Sequence, residues 1–268
     1  MLALAAILAS GGALANARAA RRRLARAHAD LRRLDRGLVA LGRAVAHHAS
    51  GVEFFAQFGE DVILWEILGR PRAGFFVEAG AYDGVTFSVT HAFEAMGFGG
   101  ILVEPNPSQV ERCRSSRPGS RVVHAALTRE PGEVGLLVVD QEGDQWLSRL
   151  ESSPVATPGR LRATARRVRV PAATLDGVLA GAPDPFDVLV LDVEGAELEA
   201  LAGWSRGSPR ARLALIEDTH RAAEIGEAMR AKGYSAAGPL GCSTLYVLEA
   251  EGVLLSRASA ILGGRRAS

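Results

Sequence analysis

The sequence predicts an α/β fold with a mostly parallel, doubly wound sheet, preceded by a helical N-terminal extension. After Gly51, short apolar runs alternate with segments of helical periodicity, which is the pattern of successive strand–helix–strand units. One of these runs leads into a turn with two glycines, as in sheets that bind nucleotides. Hydrophobic residues make up 48% of the 268 residues and charged residues 23%, the composition of a globular protein with a buried core.

Seven apolar runs predict strands, at residues 74–78, 100–104, 121–126, 134–140, 168–171, 186–192 and 213–217. Five stretches between and after them predict helices, at residues 85–96, 108–115, 175–179, 196–201 and 221–232. Residues 141–165 are rich in Gly, Pro, Ser and Arg without clear periodicity. They predict a long surface insertion, and such loops in compact domains are often functional lids.

Residues 1–50 differ from residues 51–268, so we expect a helical extension followed by one α/β domain. The first 17 residues are apolar but shorter than the roughly 20 needed to span a bilayer. Within residues 18–46, apolar side chains recur at heptad spacing among nine arginines. Two interpretations stay open: a helix that packs on the body or on a second copy of the chain, and a basic helix that lies on an anionic membrane surface.

The charge is unevenly distributed between these segments. Residues 1–50 carry a net charge of +7, and the rest of the chain carries −6. A mildly acidic body argues against a nucleic-acid partner. Cys113 and Cys242 are too few for a disulfide framework and lack metal-ligand spacing, so we expect a reducing, cytoplasmic location.

The turn after the first strand contains Gly80 and Gly84, which predict a close backbone approach to a ligand and a tight entry into a helix. A dinucleotide site would have a glycine two residues after Gly80, but Tyr82 is there, and the next residue is Asp83. An acidic turn suits a ligand with an ammonium or sulfonium group better than a pyrophosphate. A purely structural βα connection is the alternative.

Glu104 follows Gly80 by 24 residues and ends the next predicted strand. At that place an acidic side chain can accept hydrogen bonds from both ribose hydroxyls of an adenosine. The alternative is a carboxylate that caps the helix after Pro105. The glycine turn and Glu104 together predict an adenosine-containing ligand.

Acidic residues also follow two later strands. Asp192 is expected to face the same crevice as Glu104, whereas Glu194 and Glu197 stand where carboxylates also stabilise a helix start. Glu217 and His220 follow the next strand. Either Asp192 or His220 could take a proton from a hydroxyl substrate, with Glu217 as a further catalytic candidate. The histidine could also hold a divalent ion together with carboxylates, or simply cap the following helix.

Four blocks of the sequence resemble the FkbM family of methyltransferases, over about residues 54–248. They are Gln57-Phe58-Gly59-Glu60-Asp61, residues 76–84, residues 100–107 and residues 191–197. The resemblance implies a class I Rossmann-like methyltransferase fold that uses S-adenosylmethionine. It also implies methyl transfer to oxygen, on a hydroxyl group of a sugar, a glycan or a natural product.

The resemblance also implies roles for individual residues. Gly80, Asp83 and Gly84 would line the methionine and ribose side. Glu104 would hold the ribose, and Asp192 would lie beside the donor methyl group. The other cofactor-binding candidates in the four blocks are Gln57 and Glu60, which would fold back over the cofactor, and Glu78, Ala81, Pro105 and Asn106.

Some positions depart from the family pattern. Ala56 replaces a serine, Glu78 replaces an aspartate, and Val89 replaces the asparagine of a Ser-Asn-Thr block. The acceptors of the family are therefore a weaker guide to the acceptor of this chain. The arginine-rich N-terminus is not part of the pattern. Three other function classes remain open: an NAD-dependent oxidoreductase, a methyltransferase that acts on protein or nucleic acid, and a non-catalytic nucleotide-binding scaffold.

Overall fold

The computed structural model describes residues 52–139, 148–154, 165–219 and 221–263. The predicted N-terminal extension, His220 and most of the predicted insertion 141–165 lie outside these residues. In chain order the strands are β1 Phe75–Ala79, β2 Gly99–Glu104, β3 Ser120–His124, β4 Ala126–Leu127, β5 Gly132–Val139, β6 Arg149–Leu150, β7 Ala165–Ala173, β8 Phe186–Leu191, β9 Ala211–Glu217, β10 Tyr234–Leu240 and β11 Ser243–Leu248. The helices are α1 Glu60–Leu68, α2 His91–Ala95, α3 Pro107–Ser116, α4 Leu175–Val178, α5 Glu197–Ala202, α6 Ala222–Ala231 and α7 Gly252–Leu262.

The main sheet has the strand order β10-β11-β9-β8-β1-β2-β3. Its strands from β9 to β3 are parallel, and Val77 of β1 lies opposite Ile101 of β2 and Leu189 of β8. After β1 the chain adds β2 and β3 on one side of β1, and later it adds β8 and β9 on the other side. The switch between these directions lies between β1 and β8, where ligands bind in open α/β sheets.

Both faces of the main sheet are covered, which explains why its central strands are apolar throughout. On one face, Phe76 and Leu102 pack in a core with residues of α1, α2 and α7. On the other face, Val77 and Leu189 pack with residues of α4, α5 and α6. The predicted doubly wound, mostly parallel sheet is confirmed.

The strands predicted at residues 134–140 and 168–171 correspond to β5 and β7, which belong to a second sheet with the order β4-β7-β5-β6. β5 and β7 pair antiparallel with each other. In β7 the exposed Arg167 and Arg169 alternate with Val168 and Val170, whose side chains join a small apolar core. This alternation is typical of an antiparallel strand with one solvated face. The predicted insertion contributes β6 to this sheet.

Two further predictions were incomplete. The predicted helix 85–96 is reduced to α2, because residues 84–90 form a loop in which Phe87 has a φ of 61°. Helix α1, the C-terminal hairpin β10–β11 and helix α7 were not predicted. Among the described residues, no helix is both long and apolar enough to cross a membrane.

Candidate active site

A cavity of about 300 Å³ opens at the carboxyl ends of β1, β2, β8 and β9. The predicted site residues that line it are Gln57, Glu78, Gly80, Ala81, Glu104, Pro105, Asp192 and Glu217. Four others, Glu60, Asp83, Gly84 and Asn106, are not among the residues that line this cavity. His220 is outside the described residues. The switch point of the sheet therefore brings most of the predicted residues together.

Gly80 allows β1 to approach the end of β8. Its φ is 85°, and a β-carbon on it would lie 1.7 Å from the carbonyl oxygen of Asp192. Its amide donates to Val103 O at 3.0 Å. The glycine is thus required by a contact within the protein, in addition to any approach to a ligand.

Glu104 is buried at the end of β2, and its carboxylate is fixed from two sides. Oε2 accepts from Tyr82 N at 2.9 Å and Oε1 accepts from Asn106 N at 2.8 Å. Burial raises the pKa of Glu104 to about 7, and the two backbone hydrogen bonds oppose this increase. Because each carboxylate oxygen has two lone pairs, both oxygens can accept a further hydrogen bond from the cavity side.

Glu78 borders the cavity, but its carboxylate organises the loop after β1. It accepts hydrogen bonds from Ser88 Oγ at 2.8 Å, Val89 N at 2.9 Å and Thr90 Oγ1 at 2.5 Å. Val89 contributes only its backbone amide to this contact, and its side chain is buried. The replacement of the family's asparagine by valine therefore leaves this hydrogen bond intact.

The candidates outside the cavity lining have local structural contacts. Asp83 accepts through Oδ1 from Val85 N and Thr86 N, at 2.9 and 2.7 Å, and so closes a turn. Asn106 caps α3 by accepting from Ser108 N at 3.2 Å. Gly84 does not enter a helix as predicted, since α2 begins only at His91.

The segment before α1 reaches the cavity because the first two residues of α1, both acidic, hold its backbone. Glu60 accepts from Phe58 N at 2.9 Å, and Asp61 accepts from Phe55 N and Ala56 N at 2.6 and 3.0 Å. Burial raises the pKa of Glu60 to about 7 and that of Asp61 to about 6. Gln57 and Phe58 consequently line the cavity.

Carboxylates crowd the β8–β9 side of the cavity. Asp192, Glu194 and Glu217 all line this side of the cavity. Desolvation and then the neighbouring Glu217, Glu194 and Glu197 raise the pKa of Asp192 well above its usual value. Desolvation and Glu217 raise the pKa of Glu194 to about 7, although Arg149 opposes this. Such a site favours a bound cation.

The turn after Asp192 presents Glu194 in a conformation that is unusual for a residue other than glycine. Its φ is 53°, and its carbonyl accepts from Ser153 Oγ at 2.8 Å. Glu197 Oε1 accepts from Val193 N and Gly195 N, at 3.2 and 3.0 Å. These contacts on both sides hold the strained turn, as is common at functional sites.

Several residues that line the cavity were not predicted as site residues, among them Phe58, Phe87, Arg149 and Cys242. Phe87 was assigned to a helix, and Arg149 was assigned to an insertion without periodicity, so neither position carried a signal. Glu194 lay inside a recognised block but was interpreted as part of a helix start. The described residues contain no group of three His, Cys, Asp or Glu side chains that could hold a metal ion.

Comparison with known proteins gives one family match. Residues 78–236, more than half of the chain, match the model of the methyltransferase FkbM domain. No curated protein matches the chain.

Two of the solved structures to which the chain is similar are methyltransferases. A TehB-like SAM-dependent methyltransferase from Corynebacterium glutamicum is 14% identical, with 78% of this chain and 95% of that chain covered and a TM-score of 0.39. The C-terminal domain of precorrin-6Y C5,15-methyltransferase from Rhodobacter capsulatus is 14% identical, with 74% and 93% covered and a TM-score of 0.36. These TM-scores are too low to support an inference about this chain.

Proposed function

The chain belongs to the FkbM methyltransferase family, and we propose that it transfers the methyl group of S-adenosylmethionine to a hydroxyl oxygen of a sugar, a glycan or a natural product. One observation carries the choice of donor. The same cavity has a fixed carboxylate at the end of β2, Glu104, and a group of carboxylates at the end of β8, around Asp192. The first suits a ribose, and the second suits a sulfonium.

The remaining walls of the cavity fit the rest of such a donor. The cavity also has an apolar part of its lining that suits a flat base, formed by Val103, Pro105, Ala125, Ala126, Leu127, Leu136 and Leu150. The acidic surroundings of Asp192 oppose the binding of phosphate groups, which argues against NAD. The residues present therefore fit an adenosine whose ribose substituent carries a positive charge.

S-adenosylmethionine would supply an electrophilic methyl group on its sulfonium sulfur. Glu104 would hold the ribose hydroxyls, and the apolar wall would fix the base, so that the methyl group has a constant position. Asp192 would take the proton of the acceptor hydroxyl, because a carboxylate with a raised pKa is a stronger base. His220 remains an alternative proton acceptor, and its position lies outside the described residues.

Calorimetry with S-adenosylmethionine, S-adenosylhomocysteine and NADH tests the donor. We expect both sulfur compounds to bind and NADH not to bind. A methyl-labelled donor, incubated with the protein and a fractionated cell extract, tests the acceptor class. We expect label in the small-molecule or glycan fraction, as a methoxyl group identified by mass spectrometry. Absence of binding by both sulfur compounds would refute the proposal, and label only in protein or nucleic acid would refute its acceptor class.

Substitutions at Asp83 and Glu104 separate the structural acid from the binding acid. Asp83→Ala removes a turn cap, so we expect it to lower the free energy of unfolding by about 1 kcal/mol and to change the affinity for S-adenosylhomocysteine by less than about threefold. Glu104→Gln removes a charged hydrogen-bond acceptor for the ribose, so we expect about tenfold weaker binding. Chemical denaturation and calorimetry measure the two effects. The reverse order of affinities would contradict this division.

A further inference from the structure

Arg117 is fully buried directly after α3, behind the cavity rather than in its lining. We propose that Arg117 is a positioning residue for the cofactor turn, by which we mean residues 80–84. This inference rests on the proposed function, since the turn matters only if the cavity binds the methyl donor. Arg117 would act through the backbone of the turn and through Glu78.

Three side chains at the end of α3 bind consecutive carbonyl groups of the cofactor turn. Cys113 Sγ lies 2.8 Å from Tyr82 O, Ser116 Oγ donates to Asp83 O at 2.8 Å, and Arg117 Nη1 donates to Gly84 O at 2.8 Å. The last turn of α3 and the residue after it therefore provide polar partners for three successive carbonyl groups of the cofactor turn.

The cofactor turn needs such external support because its backbone is unusual. The φ angles of Gly80, Tyr82 and Gly84 are 85°, 50° and 82°. Left-handed conformations persist where the surroundings over-determine them. A β-carbon on Gly84 would lie 2.8 Å from both Arg117 Cγ and Ser116 Oγ, so the turn lies directly against α3.

Arg117 also holds the loop after the cofactor turn. Nη2 donates to Thr90 O and Thr90 Oγ1, both at 3.1 Å, and Nη1 lies 3.1 Å from Ser88 Oγ. The hydroxyls of Ser88 and Thr90 in turn donate to Glu78. The guanidinium of Arg117 thus fixes the end of the cofactor turn and also the two hydroxyl groups that donate to Glu78 at the edge of the cavity.

The planar shape of the guanidinium is essential to this arrangement. Nε donates to Glu94 Oε2 at 2.8 Å while the two terminal nitrogens serve Gly84, Ser88 and Thr90. A lysine ammonium could keep a positive charge near Glu94 but could not reach both ends of the loop. The substitution Arg117→Lys therefore separates positioning from charge.

Calorimetry and hydrogen exchange on the full-length protein test the proposal. For Arg117→Lys we expect about tenfold weaker binding of S-adenosylhomocysteine and faster amide exchange in residues 80–90. The matched control is Arg212→Lys. Arg212 also pairs with two carboxylates, Asp187 at 3.1 Å and Glu251 at 2.9 Å, but is not in the cavity lining. We expect this control to lose stability without losing affinity.

The outcomes are distinguishable. Unchanged affinity in folded Arg117→Lys, or an equal loss in the Arg212→Lys control, would overturn the positioning role. If Arg117→Lys does not fold, Thr90→Val decides, because it keeps Arg117 and removes one hydroxyl that contacts both Arg117 and Glu78. We then expect about threefold weaker binding, and unchanged affinity would overturn the proposal. If the unaltered protein binds no S-adenosylhomocysteine, the proposed function fails, and exchange in residues 80–90 alone decides whether Arg117 orders the turn.

Discussion

Gly80→Ala is expected to weaken S-adenosylhomocysteine binding at least about a hundredfold and to lower the free energy of unfolding by at least about 3 kcal/mol. The β-carbon would lie 1.7 Å from Asp192 O, a distance at which one of the two backbones must move. The φ of 85° adds a conformational cost for any residue with a side chain. This movement of the backbone would separate the cofactor turn from the end of β8, where Asp192 lines the cavity.

Gly233→Ala is the matched control for Gly80→Ala. Gly233 has a φ of 82°, but no atom lies within 4 Å of the β-carbon that the substitution would add. It therefore measures the conformational cost alone, which we expect to be about 1 kcal/mol, with unchanged ligand affinity. Urea denaturation and calorimetry give both quantities. If the two variants behave alike, the contact between Gly80 and Asp192 is not what the site requires.

The main sheet was predictable because its strands are buried on both faces. A run such as Phe186–Leu191 is apolar almost throughout, and few other structures bury such a run. The second sheet was harder to predict, since its strands alternate and one of them, β6, is only two residues long. The hairpin β10–β11 was missed for a related reason: Tyr234–Leu240 contains a proline and a glycine, which usually mark loops.

The site was predictable where a residue follows a strand directly. Glu104 and Asp192 were located by this rule, and both line the cavity. Asp83 was assigned to the methionine and ribose side by the family resemblance, and the sequence did not indicate that its carboxylate also closes the turn by accepting from Val85 N and Thr86 N. Arg117 carried no local signal, because its contacts with Gly84 and Thr90 join residues 33 and 27 positions apart.

The pH dependence of donor binding should differ between the two sulfur compounds. Without ligand the pKa of Glu194 is raised to about 7, so this carboxyl is mostly protonated at pH 6, and burial and the neighbouring Glu217 raise the pKa of Asp192 in the same direction. A bound sulfonium favours the ionised carboxylates and releases these protons, so its affinity increases with pH. S-adenosylhomocysteine has a neutral sulfur, so its affinity should change much less.

Buried carboxyl groups with a raised pKa affect the stability of the protein without ligand in the opposite sense. A carboxyl whose pKa is higher in the folded than in the unfolded state binds protons more tightly when folded, so its contribution to stability is lost as the pH rises through the folded value. For Glu60 and Glu104 that value is about 7. Thermal unfolding without ligand should therefore occur at a lower temperature at pH 8 than at pH 5.

Calorimetry at pH 6.0 and pH 7.5 measures the difference between the ligands. The preference for S-adenosylmethionine over S-adenosylhomocysteine should grow about tenfold if only Glu194 must ionise, and by more if Asp192 must ionise as well. Glu194→Gln should reduce this increase in preference with pH. The control is Glu199→Gln, which should leave the increase unchanged, because the side chain of Glu199 is on α5 and is 52% exposed. Parallel pH profiles for the two ligands would show that these carboxylates do not contact the sulfonium. The proposed position of Asp192 beside the methyl group would then be wrong, because a carboxylate that accepts the hydroxyl proton must lie close to the positively charged sulfur.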